Sequence, residues 1–266
     1  MSFDFHHDKP RYFEIQYLNS KNYILPFIQE SIKVDSKLRV MEIGCAEGGV
    51  LKAFTELGCN CFGVELSASK VENAKKFMAD EIEKGQIQFV CQDIYDLDFE
   101  STYANSFDVI ILKDTIEHIH DQQKLIGYLH KLLRPNGLVY FGFPAWYMPW
   151  GGHQQVCKSK LLTLLPYFHL LPMPLYKLFL KVFGETEGKI AELVEIKETG
   201  ISTHRFETIL KKTGYKVLKR TIFFVNPIYI HKFGWKTKVQ WNWLGQIPIL
   251  RDLLSTTVYY SISYVK

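Results

Sequence analysis

Five short apolar runs, each followed by a stretch with helical periodicity, constrain the fold of this chain more than any other feature. They are LRVMEI (38–43), NCFGVEL (60–66), IQFVC (87–91), FDVIILK (107–113) and GLVYFGF (137–143). Strands that are apolar on both faces and alternate with helices are typical of a parallel sheet with helices on either side. The sequence therefore predicts an α/β fold.

The alternation of strand and helix is interrupted twice. The first interruption contains GGH followed by a proline-broken apolar run, and the second is rich in Trp and Lys. Between them we expect a helix and a strand, YKVLKRTIFFV, and after them a closing strand, TTVYYSISYVK. We predict an N-terminal helical segment and one α/β domain that carries two lid insertions, with these approximate bounds: segment 1–35, domain 36–266, insertions 146–199 and 226–255.

Composition narrows the class of protein. A chain of 266 residues with 47% hydrophobic and 23% charged residues can bury one large core. Its formal charge of +4 is too small and too dispersed to argue for nucleic acid. The five cysteines show no paired CxxC spacing, and the start MSFDFHHDKPRYF lacks the features of a secretory signal. We therefore expect a cytoplasmic protein.

A glycine-rich turn follows the first predicted strand, in VMEIGCAEGGVLKAF (40–54). Loops at this edge of a parallel sheet bind ligands, and in dinucleotide-binding proteins the glycines let the backbone approach a pyrophosphate. Here Gly44-x-Ala46-x-x-Gly49 fits poorly, because Glu42 would add negative charge beside the phosphates. S-adenosylmethionine removes the conflict, since its ammonium and sulfonium favour a nearby carboxylate while its own carboxylate can use the loop amides.

The segment EIGCAEG resembles the first motif of the class I S-adenosylmethionine-dependent methyltransferases, whose usual form is acid-x-Gly-x-Gly-x-Gly. Gly44 and Gly48 match it. Ala46 departs from it, which the loop can tolerate if the φ angle of Ala46 stays negative. The resemblance implies a Rossmann-like, doubly wound, mostly parallel seven-stranded sheet with an antiparallel last strand and a helical and aromatic lid insertion.

Other segments resemble the same family in the same order along the chain. Glu65 ends the second strand, where the family places an acid that binds both ribose hydroxyls. Asp93 matches the acid that takes the adenine amino group, with Ile94 against the ring. LKDTIEHIHD resembles the segment after strand four in the small-molecule branch, and LRPNG resembles the turn before strand five. The predicted cofactor site comprises Glu42, Gly44, Ala46, Gly48, Glu65, Leu66, Asp93, Ile94 and Lys113.

Two histidines are candidates for a general base, which matters when the methyl acceptor is a hydroxyl. His118 follows the fourth strand, on the side expected to face the acceptor, and His153 lies in PAWYMPWGGHQQ just after the fifth strand. Either histidine could instead be a structural, hydrogen-bonded loop residue. No HxxxH or paired-acid spacing supports a metal site, so none is predicted.

The segment that follows the fourth strand indicates which class of acceptor the protein methylates. Family members that methylate adenine or glutamine carry an Asn/Asp-Pro-Pro-aromatic stretch where this chain has Lys113-Asp114-Thr115-Ile116, which disfavours nucleic acid. We therefore predict methyl transfer to an O or N atom of a small, apolar or aromatic acceptor. The alternatives are a lipid or quinone methyltransferase at the membrane surface, a cofactor-binding protein without catalysis, and a nicotinamide-dependent oxidoreductase.

The proline-broken segment Leu161 to Phe183 has a broad apolar face beside Lys177 and Lys181. We interpret it as a lid over the acceptor that could also make a peripheral membrane contact. Packing against the sheet edge or a second subunit is the alternative, and the sequence leaves the oligomeric state open.

Overall fold

An eight-stranded sheet forms the centre of the computed structural model, which describes residues 8–265, in the order β3-β2-β1-β4-β5-β8-β6-β7. Strands β1 to β5 are parallel, and β8 runs antiparallel between β5 and β6. The strands are β1 (Arg39–Ile43), β2 (Asn60–Glu65), β3 (Ile87–Cys91), β4 (Phe107–Lys113), β5 (Leu133–Phe143), β6 (Tyr215–Val225), β7 (Lys238–Val239) and β8 (Thr257–Tyr264). The predicted α/β class and the antiparallel last strand are confirmed. The predicted seven strands are joined by an eighth, the two-residue β7 at the edge.

Helices cover both faces of the sheet and form the two insertions. They are α1 (Lys9–Asn19), α2 (Leu25–Gln29), α3 (Gly49–Thr55), α4 (Ala68–Phe77), α5 (Ala79–Glu83), α6 (Leu97–Tyr103), α7 (Gln122–Leu129), α8 (Lys160–Leu164), α9 (Met173–Val182), α10 (Glu187–Thr199), α11 (Thr203–Lys212), α12 (Tyr229–Phe233) and α13 (Leu250–Leu253). A π-helix, Ser20–Ile24, joins α1 to α2. The residues before position 8, which carry part of the expectation about a secretory signal and the start of the predicted segment 1–35, lie outside the described range.

Alternate residues of each central strand point to opposite faces, which explains why the strands are apolar throughout. In β1, Val40 belongs to one apolar cluster and Met41 to the other. In β4, Val109 and Ile110 divide in the same way. The sheet is therefore buried on both sides, and binding sites must lie at its edges.

The strand order reverses at β1, which has β2 on one side and β4 on the other. A crevice forms at the carboxyl ends of strands at such a reversal. The loops that leave β1 and β4 meet there, and the Thr115 hydroxyl joins them by donating to the Ile43 carbonyl at 3.3 Å. This position is where the predicted cofactor loop and the predicted acceptor segment come together.

The N-terminal helices lie across the glycine-rich loop rather than apart from it. The Ser20 hydroxyl donates to the Val50 carbonyl at 2.8 Å. A Cβ added at Gly49 would lie 2.6 Å from the Phe13 carbonyl oxygen, so only glycine permits this approach of α1 to α3. Helix α1 therefore forms one wall of the crevice.

The first insertion contains α8, α9 and α10 and has an apolar cluster of its own, in which Leu162, Tyr176, Leu180 and Leu193 are buried. The second insertion contains α12, β7 and α13. It is tied to the sheet through Glu207, which accepts from Arg251 at 2.8 Å and from Arg220 at 2.7 Å. Among residues 8–265, no helix combines the length and the apolar character needed to cross a bilayer.

Candidate functional site

The loop from β1 to α3 is held against the end of β2 by backbone hydrogen bonds. The amides of Gly44 and Cys45 both donate to the Val64 carbonyl, at 2.8 and 3.1 Å. Gly44 has a φ of +73°, and a Cβ there would lie 2.8 Å from the Thr115 hydroxyl. Gly48 has a φ of +84°, and a Cβ there would lie 2.7 Å from the Phe89 ring. Both positions require glycine for conformation and for space.

Ala46, the position where the motif departs from glycine, does not keep a negative φ. Its φ is +45°, in the left-handed region that costs an L-residue about 1–2 kcal/mol. The expectation that Ala46 tolerates the loop with a negative φ is therefore wrong. The loop keeps the glycine-like path because the Ala46 amide donates to the Glu65 carboxylate at 3.1 Å.

Glu42 is buried at the end of β1, and its Oε2 atom has no hydrogen-bond partner within residues 8–265. Burial raises the pKa of Glu42 well above its usual value, against the attraction of Lys113, and the negative charges of Glu65 and Asp114 raise it further. A buried acid with an unused acceptor atom favours a ligand that brings a donor or a positive charge.

Glu65 stands at the end of β2 with both carboxylate oxygens engaged by backbone amides, Oε2 with Ala46 at 3.1 Å and Oε1 with Ser67 at 3.0 Å. Lys70 lies 3.9 Å away. The next residue, Leu66, is 72% exposed and available to a ligand at this edge. The predicted binding of ribose by Glu65 stays a prediction.

Asp93 and Ile94 follow β3, away from the glycine-rich loop. Asp93 is exposed, and its side chain accepts from the Tyr95 amide at 2.9 Å. Ile94 is buried in the apolar cluster on one face of the sheet. The predicted contacts of these two residues with adenine stay predictions.

A cavity of about 280 Å³ opens at the carboxyl ends of β1 and β4. Four of the predicted cofactor residues line it: Glu42, Gly44, Ala46 and Lys113. The opposite wall comes from α1, which contributes Lys9, Tyr12, Phe13 and Gln16. Sequence reasoning missed this wall, because α1 has no clear apolar stripe that would predict where it packs.

Lys113 and Asp114 form an ion pair at the floor of this cavity. Burial opposes the charge of Lys113, but Asp114 outweighs that effect and raises the pKa of Lys113. Burial likewise opposes ionisation of Asp114, and the attraction of Lys113, Lys232 and His153 outweighs it, so the pKa of Asp114 is lowered. Both groups are charged at neutral pH.

Lys232, on α12 in the second insertion, reaches this cluster, which the sequence did not indicate. Its amine lies 5.6 Å from the Tyr12 ring centroid, over the ring face. Burial, together with the charge of Lys113, lowers the pKa of Lys232 to about 8, against the attraction of Asp114. The second insertion thus adds a cation to the side of the crevice opposite the β1 loop.

The two candidate bases, His118 and His153, come together. Their ring centroids are 5.1 Å apart at an interplanar angle of 64°. Burial lowers the pKa of His118, and burial together with neighbouring His118 lowers the pKa of His153 to about 4. Both rings are therefore neutral at neutral pH and able to accept a proton.

Glu117 joins this histidine pair, and its two carboxylate oxygens have no hydrogen-bond partner in the described part of the chain. Burial, and then Asp114, raise the pKa of Glu117 well above its usual value. Ligand atoms of Glu117, His118 and His153 lie within 4.8 Å of one another, so these three residues could hold a divalent metal ion. Sequence spacing could not indicate this cluster, because His153 comes from a different segment.

The region from β1 to β5 matches a known protein family. The family model described as "Methyltransferase domain" matches residues 41–141, which run from β1 through most of β5. These residues therefore resemble a methyltransferase domain. The matched range of this methyltransferase domain includes the β1 loop, Glu65, Asp93 and the segment that carries Glu117 and His118.

Curated relatives match the same region. The "Ubiquinone biosynthesis O-methyltransferase" of Coxiella burnetii (strain Dugway 5J108-111) is 31% identical over 117 residues, which are 44% of this chain and 47% of that protein. The protein of the same name from Bradyrhizobium sp. (strain ORS 278) is 32% identical over 112 residues, 41% of each chain. The methyltransferase domain therefore spans less than half the length of these relatives, and both insertions lie outside the family-model match.

Solved structures resemble the whole chain in fold. A putative sarcosine dimethylglycine methyltransferase from Galdieria sulphuraria aligns with a TM-score of 0.58 at 12% identity, covering 92% of this chain and 85% of that one. A SAM-dependent methyltransferase from Aquifex aeolicus aligns with a TM-score of 0.54 at 10% identity, covering 94% and 97%. At these identities the likeness concerns the fold.

Proposed function

We propose that this protein is an S-adenosylmethionine-dependent methyltransferase that transfers a methyl group to an O or N atom of a small, apolar or aromatic acceptor. The observation that carries the proposal is the cavity at the carboxyl ends of β1 and β4, where the buried, unpaired Glu42 oxygen faces the glycine-rich loop. That combination suits a ligand with a positive centre and no phosphate. A dinucleotide would place its pyrophosphate charge against Glu42.

The cofactor follows from the positions of the charged groups. In this proposal Glu42 attracts the ammonium and sulfonium, the loop amides bind the carboxylate, and Glu65, at the end of β2, accepts from the ribose hydroxyls. Asp93, Ile94 and Leu66 then remain for the adenine end. S-adenosylmethionine supplies the electrophilic methyl group, and these residues bind and orient it.

We infer that the acceptor binds next to the histidine pair. His153 and His118 lie beside the Lys113–Asp114 pair and are neutral at neutral pH, so either can remove the proton of an acceptor hydroxyl. The proposed acceptor pocket lies between the loop after Lys113 and the segment from Pro144 to His153. The curated relatives are named for ubiquinone biosynthesis, which supports an aromatic, lipid-like acceptor. All five cysteines are free thiols, which supports a location in the reducing cytoplasm.

Calorimetry with S-adenosylhomocysteine tests the cofactor assignment. We expect binding by the wild-type protein and a loss of about 1.5–3 kcal/mol of binding free energy in Glu65→Ala, because charge-assisted hydrogen bonds are removed. Asp98→Ala, which changes an exposed acid on α6, is the matched control. Unchanged affinity in Glu65→Ala would remove Glu65 from the site, and binding of NAD instead would overturn the function.

Methyl transfer itself is tested with labelled S-adenosylmethionine and a panel of catechols and phenols that carry apolar tails of increasing length. We expect transfer that increases with tail length and falls about a hundredfold in His153→Ala or His118→Ala, whichever is the base, while cofactor affinity is retained. Cofactor binding without transfer to any member of the panel would favour the binding protein without catalysis.

A further inference from the structure

Exposed apolar side chains of the described chain concentrate in the two insertions, which hold fifteen of the twenty-three large ones. Those in the first insertion are Val156, Leu161, Leu164, Leu175, Leu178 and Val182. Those in the second are Ile230, Trp235, Val239, Trp241, Trp243, Ile247, Ile249, Leu250 and Leu254. Such a concentration marks an interaction surface rather than ordinary scatter.

Helix α9 shows how this surface is built. Tyr176 and Leu180 face the buried cluster of the first insertion. Leu178 and Val182 lie on the opposite side of the helix and are 57% and 71% exposed. Lysines at 177 and 181 run along the same exposed side, one turn apart. The helix therefore presents an apolar stripe next to a stripe of lysines.

The second insertion presents tryptophans in the same manner. The rings of Trp241 and Trp243 stack at 6.0 Å and 12°, although both side chains are more than half exposed. The Lys238 amine lies 5.8 Å from the Trp241 ring. Tryptophan rings with adjacent lysines are typical of proteins that lie at a lipid–water interface.

A hydrogen bond at the end of α13 joins the two insertions. The Tyr167 hydroxyl, from the turn after α8, donates to the Leu253 carbonyl at 2.8 Å. The Gln240 amide, from the residue before Trp241, donates to the Leu254 carbonyl at 3.0 Å. We call the exposed side chains of α8, α9, α13 and the segment 235–243 the insertion surface.

The charge of the insertion surface has one sign. The sequence contains no Asp or Glu between residues 122 and 184, and none between residues 208 and 251. Helix α10, which packs against α9, carries the exposed acids Glu187, Glu192, Glu195 and Glu198, and Glu187 is paired with Lys181 at 3.1 Å. An apolar surface with lysines and without exposed carboxylates of its own is complementary to a surface that is apolar beneath a layer of negative charge.

We propose that the insertion surface binds peripherally to an anionic lipid bilayer, with its leucines and tryptophans inserted at the acyl boundary and its lysines against the headgroups. A second copy of this chain is a poorer occupant. A two-fold interface would set this surface against itself and bring lysines together without acids to balance them. The proposal does not depend on the methyltransferase activity, because binding can be measured without cofactor or acceptor.

Vesicle flotation of the full chain tests the proposal. Vesicles of phosphatidylcholine alone are compared with vesicles that also contain phosphatidylglycerol. We expect flotation with the phosphatidylglycerol vesicles, and a loss of binding as salt is added. Leu178→Gln with Val182→Gln, and separately Trp241→Ser with Trp243→Ser, should each reduce the bound fraction about tenfold. Lys177→Gln with Lys181→Gln should weaken binding to the anionic vesicles alone.

The matched control is Ile82→Gln, which changes an exposed apolar residue on α5 beside β3, at the opposite edge of the sheet. It should float like the wild type, and thermal unfolding should show that every variant is folded. Absence of flotation with both vesicle compositions would overturn the proposal. So would flotation that persists in all the surface variants, or a dimer in light scattering that Leu178→Gln with Val182→Gln abolishes.

Discussion

Ala46 is strained where the family motif has glycine, and this strain can be measured. Its φ of +45° is a conformation that glycine adopts without cost, while its amide still donates to Glu65. We expect Ala46→Gly to raise the free energy of unfolding by about 0.5–1 kcal/mol, since the relief of strain exceeds the greater chain entropy of glycine. Urea denaturation measures the difference.

Ala53→Gly is the control for Ala46→Gly. Ala53 is buried within α3, in an ordinary helical conformation. The same chemical change there should lower stability by about 1 kcal/mol. A loss of stability in Ala46→Gly as well would show that Ala46 is not held in the left-handed region.

His153 should make the fold sensitive to acid. Burial and His118 lower its pKa in the folded protein to about 4, below the usual histidine value of 6.5. A lowered pKa means that the stabilisation is complete above pH 6.5 and is lost as the pH falls toward 4. Asparagine suits the positive φ at this position and does not titrate in this range. Between pH 6.5 and pH 4, we therefore expect the free energy of unfolding of His153→Asn to fall by about 1–2 kcal/mol less than that of the wild type.

The free energies of unfolding of the wild type and of His153→Asn are measured at pH 7 and at pH 4.5. The difference between the two proteins is compared at the two pH values, because the contributions of other acid-sensitive groups cancel in that difference. His204→Asn, which changes a histidine on α11 away from this cluster, is the control and should follow the wild type. A constant difference between wild type and His153→Asn at both pH values would contradict the lowered pKa.

The positions of residues at the strand ends could be predicted from the sequence. Contacts that depend on the path of the loops, such as that between His118 and His153, could not. Glu42, Gly44 and Lys113 line one cavity because the ends of parallel strands meet at one edge, which the alternation of strands and helices already implied. The meeting of His118 and His153 depends on the path of the chain after β5, including a left-handed turn at His153. No local pattern in the sequence encodes that path.

At the scale of elements, one carboxylate links the second insertion to the sheet, in addition to the pairing of β7 with β6. Glu207 on α11 accepts from Arg220 on β6, from Arg251 on α13 and from the Tyr260 hydroxyl on β8. Burial opposes the ionisation of Glu207, but Arg251 and Arg220 outweigh it and lower its pKa. The stabilisation is therefore present above the usual carboxyl pKa and is lost as the pH falls through the lowered value.

Glu207→Gln should cost about 2–3 kcal/mol of unfolding free energy at neutral pH, since it leaves a nearly buried Arg251 without its counter-charge. Glu100→Gln is the control, because it breaks an exposed ion pair with Lys131 and should cost less than about 0.5 kcal/mol. Chemical denaturation compares the two variants. Equal effects would show that the Glu207 network contributes no more than a surface pair.

The observed bounds of the strands agree with the predicted ones wherever the apolar run was long. The predicted and observed bounds of β3 and β4 agree, as do those of β6. Strand β5 begins at Leu133 rather than 137, because Leu133 pairs with Phe107 across an irregularity in β4. The two-residue β7 was not predicted, since a strand of that length has no periodicity.

At the scale of the whole molecule, the cavity joins parts of the chain that are distant in sequence. Its walls are the β1 loop, the end of β4 and helix α1. Lys9 on α1 also pairs with Glu47 in the loop at 3.1 Å. A ligand in this cavity would therefore contact α1 and the sheet together.

We expect S-adenosylhomocysteine to slow amide hydrogen exchange in α1 and in the β1 loop, by up to about a hundredfold when the ligand is at a hundred times its Kd. The physical reason is linkage: a ligand that binds only the closed form lowers the population in which α1 has opened, and exchange of the α1 amides requires that opening.

Helix α9 lies outside the cavity and should exchange at its original rate, which makes it an internal control. NAD at the same concentration should leave both regions unchanged, because its pyrophosphate is unfavourable beside Glu42. Hydrogen exchange read by mass spectrometry gives the rate for each segment. Protection of the loop without protection of α1 would show that the helix is not part of the binding site. Protection by NAD would favour the hypothesis of a nicotinamide-dependent oxidoreductase over that of a methyltransferase.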